Sequence, residues 1–116
     1  MMPLVFVVDG VAERRCVAQY ALEQAGYSVE TFATTHALEA AEQQLPSFIV
    51  VAIKLPDASG VEFCRRIRAH SVLSETAVIL IADNKMDKQI AEVRAKEVPN
   101  VFIVDNKLVV ANQQAR

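Results

Sequence analysis

The chain has 116 residues, 53% of them apolar, and a formal charge of −2, which suits one domain with ample material for a core and leaves no room for a second. Acidic and basic residues are interleaved, so there is no basic stripe for direct nucleic-acid binding and no polybasic or amphipathic membrane anchor. Cys16 and Cys64 lie far apart, with no C-x-x-C spacing and no His cluster beside them. They are expected to be reduced, buried or half-buried thiols.

Leu4 to Val8 is an unbroken apolar run ended by Asp9-Gly10, the pattern of a buried strand entering a loop. It is too short for a signal peptide or a membrane span and lacks a basic leader, so a cytoplasmic location is expected. Ala12 to Ala25 has helix-forming composition. Cys16, Val17, Tyr20, Ala21 and Ala25 are spaced to make one face, and Gly26 stands where a C-terminal cap belongs. Ser28 to Phe32 alternates Val29 and Thr31 against Glu30 and Phe32, a shorter strand. Thr34-Thr35 can cap a helix carrying Ala37, Leu38, Ala41 and Leu45 on one side, stopped by Pro46.

Phe48 to Ile53 is the most informative stretch. Six apolar residues, including the β-branched Ile49, Val50 and Val51, run between Pro46 and Pro56 and predict a strand buried on both faces. Such a strand's C-terminal end, around Ala52 and Lys54, faces the crevice where ligands bind open parallel sheets. Pro56, Asp57 and Gly60 form a turn, with Asp57 expected to be solvated or turn-stabilising. Ser59 and Glu62 can reciprocally cap a helix from Gly60 to about His70, with Val61, Cys64 and Ile67 inward and Arg65, Arg66 and Arg68 mostly outward.

Ala77 to Ala82 is a third apolar strand. Asp83 is expected to cap the following helix, on which Met86, Ile90 and Val93 form an i, i+4, i+7 stripe reaching about Lys96. Val98-Pro99-Asn100 breaks that helix, and Val101 to Val104 is a last short strand, which leaves Asp105 in a loop. Asp105-Asn106 suits a tight hairpin turn as well as the entry to a fifth helix. Lys107 to Arg116 has room for about three helical turns at most, so a short, tilted or absent last helix is expected. The alternation of strands and helices predicts a parallel sheet with right-handed crossovers.

With V-F-V-V-D near the start, A-L-E-Q-A-G-Y closing the first helix, I-K-L-P-D-A-S-G-V-E-F-C-R-R-I-R through the third and A-V-I-L-I-A in the fourth strand, the chain resembles a response-regulator receiver domain from Leu4 to about Asn106. The resemblance implies a flavodoxin-like doubly wound sheet of five parallel strands in the order 2-1-3-4-5. It also implies phosphoryl transfer from a kinase histidine to an aspartate with Mg²⁺, a chemistry that needs a carboxylate nucleophile, metal-binding carboxylates, a hydroxyl and a lysine. On this alignment the phosphoacceptor position falls on Ala52 and the acidic pair is reduced to Asp9 and Gly10. The switch hydroxyl falls on Ala82 and the lysine on Asp105, although a shifted register would bring Lys107 closer. No catalytic residue, metal site or cofactor is therefore expected.

The expectation is a phosphorylation-independent pseudo-receiver, spanning residues 1–116 as the N-terminal part of a longer bacterial signalling or transcription-regulating protein. Its partner would be another protein, its own output domain or a second copy, with Phe102 at the family's aromatic switch position and Lys85 and Lys88 on the contact surface. The alternative is a sensor of a small ligand such as a nucleotide second messenger, for which Arg65, Arg66, Arg68, Lys85 and Lys88 supply the cations without a Gly-rich phosphate loop. An enzymatic role is not expected, because neither His36 nor His70 has a sequence-evident nucleophile or metal partner.

Overall fold

The computed structural model describes residues 2–40, 44–69 and 73–105. Five strands, β1 (Leu4–Val8), β2 (Ser28–Phe32), β3 (Phe48–Ala52), β4 (Ala77–Ala82) and β5 (Val101–Asp105), alternate with helices α1 (Ala12–Gln24), α2 (Thr35–Ala40), α3 (Gly60–Ala69) and α4 (Lys85–Arg94). All neighbouring strands pair parallel in the order β2-β1-β3-β4-β5, as the apolar runs and crossovers require. The register sets Val8 beside Val51, Ala52 beside Ile81 and Ala82 beside Asp105. The ends of β1, β3, β4 and β5 thus form one edge, and the loops that follow the first three strands gather there.

The two faces of the sheet are covered unequally. On one, Phe6, Val8, Ile49, Val51, Val78 and Leu80 pack against Leu38 of α2, Phe63, Cys64 and Ile67 of α3 and Ala91 of α4. On the other, Val5, Val7 and Val50 meet Ala18 and Leu22 of α1 together with Tyr27 and Ile81. Each fully buried Leu, Ile, Val or Phe contributes about 1.5–3 kcal/mol of transfer free energy, so the first face carries most of the stability. Close approach at the start of α3 tightens it further. A Cβ on Gly60 would lie 2.7 Å from the Ala52 carbonyl oxygen and 2.8 Å from Leu80 Cδ2.

Helix termini follow the sequence signals with some exchanges of role. After α1, Gly26 adopts φ +99°, and the Tyr27 and Gly26 amides donate to the Leu22 and Glu23 carbonyls, the bonding of a Schellman cap. Thr34 Oγ1 accepts from the Ala37 amide. Ser59 Oγ accepts from the Glu62 amide, but the Glu62 carboxylate turns to Arg65 instead of completing the reciprocal cap. At α4 the cap is Asn84, whose Oδ1 accepts from the Asp87 amide at 2.8 Å. Asp83, the expected cap, is engaged elsewhere.

Several predicted faces need correction. In α1 the residues turned to the sheet are Ala18 and Leu22, while Cys16, Val17, Tyr20, Ala21 and Ala25 are exposed. In α2 Leu38 is buried but Ala37 is exposed, and Leu45 lies beyond the helix and is also exposed. Burial in α4 falls on Ala91, with Ala95 just beyond the helix, and the Met86, Ile90, Val93 stripe faces outward. In α1 and α4 the face toward the sheet carries alanines, Ala18 and Ala91, which allow a close approach, whereas in α2 only Leu38 of the predicted face is buried among the described residues. α3 is as expected, with Val61, Cys64 and Ile67 inward. Asp105 ends β5 and does not sit in a loop. Ala41, His70 and the expectations for Asn106 to Arg116, Lys107 included, lie outside the described residues.

Candidate functional site

The polar groups at the C-terminal edge of the sheet are brought there by the loops after β1, β3 and β4. Asp9 directly follows β1. Its Oδ1 accepts from the Val11 amide at 2.9 Å and from Arg14 Nη2 at 3.1 Å, and its Oδ2 accepts from Arg14 Nε at 3.0 Å. The same guanidinium reaches the loop after β4, where Nη1 donates to Asp83 Oδ1 at 2.8 Å. Arg15 adds a bond from Nη1 to the Asp9 carbonyl oxygen at 2.7 Å. Asp9 is only 13% exposed, so its carboxylate needs these donors. Hydrogen bonding to Asp9 holds the Arg14 pKa above its ordinary value despite the opposing effect of burial, and the charges of Asp9 and Asp83 reinforce the shift.

The sequence motifs do not single out Arg14, although they carry a signal for it. Two arginines in the first turn of α1 oppose the helix dipole and require a nearby anion. Asp9, five residues before Arg14, supplies it. Arg14, Ala18 and Leu22 recur at fourfold spacing, so the face that buries Ala18 and Leu22 also aims Arg14 at the edge of the sheet.

Beside this bridge the edge is apolar. Ala52, the residue that the resemblance puts at the phosphoacceptor position, ends β3 and is buried, as is Ala82 at the end of β4. Both offer only a methyl group. Gly10 lies against Pro56, where a Cβ would come within 2.7 Å of ring carbons Cγ and Cδ. A side chain at this position would have to push back a rigid ring. Asp105 pairs in register with Ala82, and its Oδ1 is buried without a hydrogen-bond partner among the described residues. Lys54, just past β3, is exposed and lies 3.9 Å from Asp87 Oδ2.

Asp57 has a more specific role than a solvated turn residue. Reaching from the β3–α3 loop to α2, it accepts from Thr35 Oγ1 at 2.7 Å and from the Thr35 and His36 amides, each at 3.2 Å. It therefore caps α2 from another part of the chain, and Arg66 Nη2 donates to the same buried Thr35 hydroxyl at 2.7 Å. Desolvation alone would raise the Asp57 pKa, but the Thr35 and His36 donors outweigh it and hold the carboxyl below its usual 3.8. His36 is exposed, with Nε2 3.7 Å from Asp57 Oδ2 and Nδ1 3.8 Å from Glu39 Oε1. These are carboxylate neighbours with no nucleophile among them.

The other cations considered for a ligand are largely engaged in the fold. Arg65 donates to Glu62 and to the Arg94 carbonyl oxygen. Arg66 also lies 3.7 Å from Glu39, and Lys88 bonds Glu92 at 3.0 Å. Arg68 is not the outward charge expected, since it donates to the carbonyl oxygens of Leu73, Ser74, Thr76, Pro99 and Asn100 and ties α3 to the segments leading into β4 and β5. Cys64 behind it is buried, and desolvation pushes its thiol up to about 12, with the Arg68 charge acting in the opposite direction. Cys16 is exposed.

The residues around Asp9 do not fit the divalent cation that the receiver resemblance implies. Both Asp9 oxygens and Asp83 Oδ1 already face a guanidinium. Among the described residues no group of three or more His, Cys, Asp or Glu side chains is placed to hold a metal ion, whereas Mg²⁺ demands near-octahedral oxygen coordination.

On the opposite side of α4 from the core, Met86, Ile90 and Val93 are exposed, Val93 by 75%, and on β5 Phe102 and Val104 are exposed by 56% and 42%. Phe102 is thus a surface side chain. Lys85 is exposed at the start of α4 and Lys88 is half-buried beside it. A shallow groove of about 120 Å³ lies between the β3–α3 loop and α4, lined by Ile53, Lys54, Val61, Asp87, Ile90 and Arg94 among others.

A five-stranded parallel sheet in this order, with functional loops converging on its C-terminal edge, defines a flavodoxin-like domain of the receiver type. The response regulator receiver domain family model matches residues 5–104, and the chain belongs to that family. Over 85 residues it is 32% identical to the alkaline phosphatase synthesis transcriptional regulatory protein PhoP of Bacillus subtilis, covering 72% of this chain and 35% of that protein. The chain thus spans about a third of the length of the curated relatives it matches. The chemotaxis response regulator CheY4 of Vibrio cholerae superposes with a TM-score of 0.81 at 23% identity, with full coverage of both chains. The receiver domain of the sensor histidine kinase PA1611 of Pseudomonas aeruginosa, described with a magnesium ion in its active site cleft, superposes at 0.79 with 21% identity, covering 99% of this chain and 93% of that one. At these identities the structural likeness establishes the fold.

Proposed function

We propose that this receiver domain works without phosphorylation, as a regulatory and protein-interaction module of a bacterial two-component-type signalling protein. The observation that carries the reading is the methyl group of Ala52 at the buried C-terminal end of β3, where the family's chemistry requires a carboxylate to attack phosphorus. Three further features of the same edge support it. Ala82 has no hydroxyl to follow a phosphoryl oxygen, Asp105 brings negative charge where the family has a lysine, and Arg14 engages the remaining carboxylate. With the switch chemistry gone, the domain acts through its surface, and Met86, Ile90, Val93 and Phe102 supply exposed apolar contact area beside Lys85 and Lys88. The partner is a protein, an output domain of the same polypeptide or a second copy, in the cytoplasm. The relatives named as transcriptional regulators, and the fraction of their length that this chain spans, support a place within a longer transcription-regulating protein, of which we take this domain as the N-terminal part.

The ligand-sensing alternative is less well supported. A groove of about 120 Å³ falls below the roughly 300–1,000 Å³ of small-molecule sites, and most of the arginines it would use hold other parts of the chain. Incubation with a small phosphodonor and Mg²⁺ followed by intact mass measurement tests the leading reading: the mass is expected to stay unchanged, and a stable acyl-phosphate adduct would refute it.

A further inference from the structure

We propose that Arg14 is a built-in replacement for a divalent cation, bridging Asp9 and Asp83 so that the loops after β1 and β4 are held in one arrangement and metal is kept out. The inference rests on the phosphorylation-independent reading and adds what sets the state of the site. The guanidinium meets both Asp9 oxygens in a forked contact at 3.0 and 3.1 Å and reaches Asp83 at 2.8 Å with its third nitrogen. A planar fork of this kind suits two carboxylates better than a lysine ammonium would. The two acids belong to loops that follow β1 and β4, strands separated in the sheet by β3, so one side chain spans the width of the crevice. It is carried by α1, whose Ala18 and Leu22 are packed on the sheet. The bridge is therefore anchored to a fixed element, and the charge on Arg14 does not titrate in the physiological range. A metal ion can leave and return, whereas a tethered cation is always present at its site.

Mn²⁺ serves as the probe, read by paramagnetic broadening of backbone amide signals in the 116-residue chain. In the wild type, the amides of Asp9, Gly10, Val11 and Asp83 are expected to broaden no more than those of exposed acidic residues such as Glu92. In Arg14→Met, which keeps the aliphatic stem and removes the fork, those four amides are expected to broaden selectively at a Mn²⁺ concentration at least about fivefold lower than in the wild type. Equal Mn²⁺ response in the two proteins overturns the proposal. Arg14→Lys keeps the charge and guards against misfolding of the Met variant. Loss of the fork should raise amide hydrogen exchange at Val11 and in the Asp83 loop by about tenfold, and unchanged exchange there also overturns it. A phosphoryl adduct on the wild type would remove the functional reading without altering the Mn²⁺ comparison, so the two failures are distinguishable.

Discussion

The C-terminal edge of the sheet and the α4–β5 surface differ in what they leave unsatisfied. At the edge, the carboxylates of Asp9, Asp57 and Asp83 are each met by donors from elsewhere in the chain, and the strand ends between them carry methyl groups. On α4 and β5, large apolar side chains stand in solvent. The first region is the more closed of the two, with Asp105 Oδ1 the exception among the described residues, and the second has area to offer a partner. That balance is what the proposed phosphorylation-independent reading requires of the edge.

Substitutions can break that contrast, the largest effect coming from the closed side. Gly60→Val places carbon against the Ala52 carbonyl oxygen and Leu80 and is expected to cost about 3 kcal/mol in urea unfolding, since neither backbone nor buried leucine can yield cheaply. Asp57→Ala removes three hydrogen bonds from the start of α2 and leaves the Thr35 amide and hydroxyl short of an acceptor. The expected loss is about 2 kcal/mol.

The same carboxylate gives a pH dependence. Its folded pKa lies below the usual 3.8, so its stabilisation is fully present above that value and fades as pH falls through the lower folded value. Asp57→Asn should therefore flatten the stability profile below about pH 4 relative to the wild type, as read by denaturant unfolding at stepped pH. Gly10→Asp, which restores the family's second acid, is expected to lower the melting temperature by several degrees because of Pro56, with no gain of phosphoryl transfer. The smallest stability effect belongs to the open side. Met86→Ser with Val93→Ser should change unfolding free energy by less than about 0.5 kcal/mol per site while weakening partner or self-association.

The sequence made the sheet readable because its inner strands are apolar runs without polar breaks: Val5 to Val8, Ile49 to Ala52 and Val78 to Ala82 have nowhere to go but inside. Their ends fixed the positions of Ala52, Ala82 and Asp9. Helix faces were less legible. The Cys16, Val17, Tyr20 stripe of α1 is as regular as a buried face, yet the helix is turned so that Arg14 and Arg15 reach Asp9. Long-range side-chain partnerships were not readable at all. Nothing in the local sequence around Asp57 says that it caps a helix 22 residues away in the chain, or that Arg68 collects five carbonyl oxygens.

The most direct test follows backbone amide shifts of β4, α4 and β5, including Phe102, before and after addition of beryllofluoride and Mg²⁺, which together mimic a bound phosphoryl group. The amides of Ala82, Asn84, Ala91 and Phe102 are expected to stay where they are. Concerted movement of those signals, saturating with the added reagent, would contradict a site without switch chemistry.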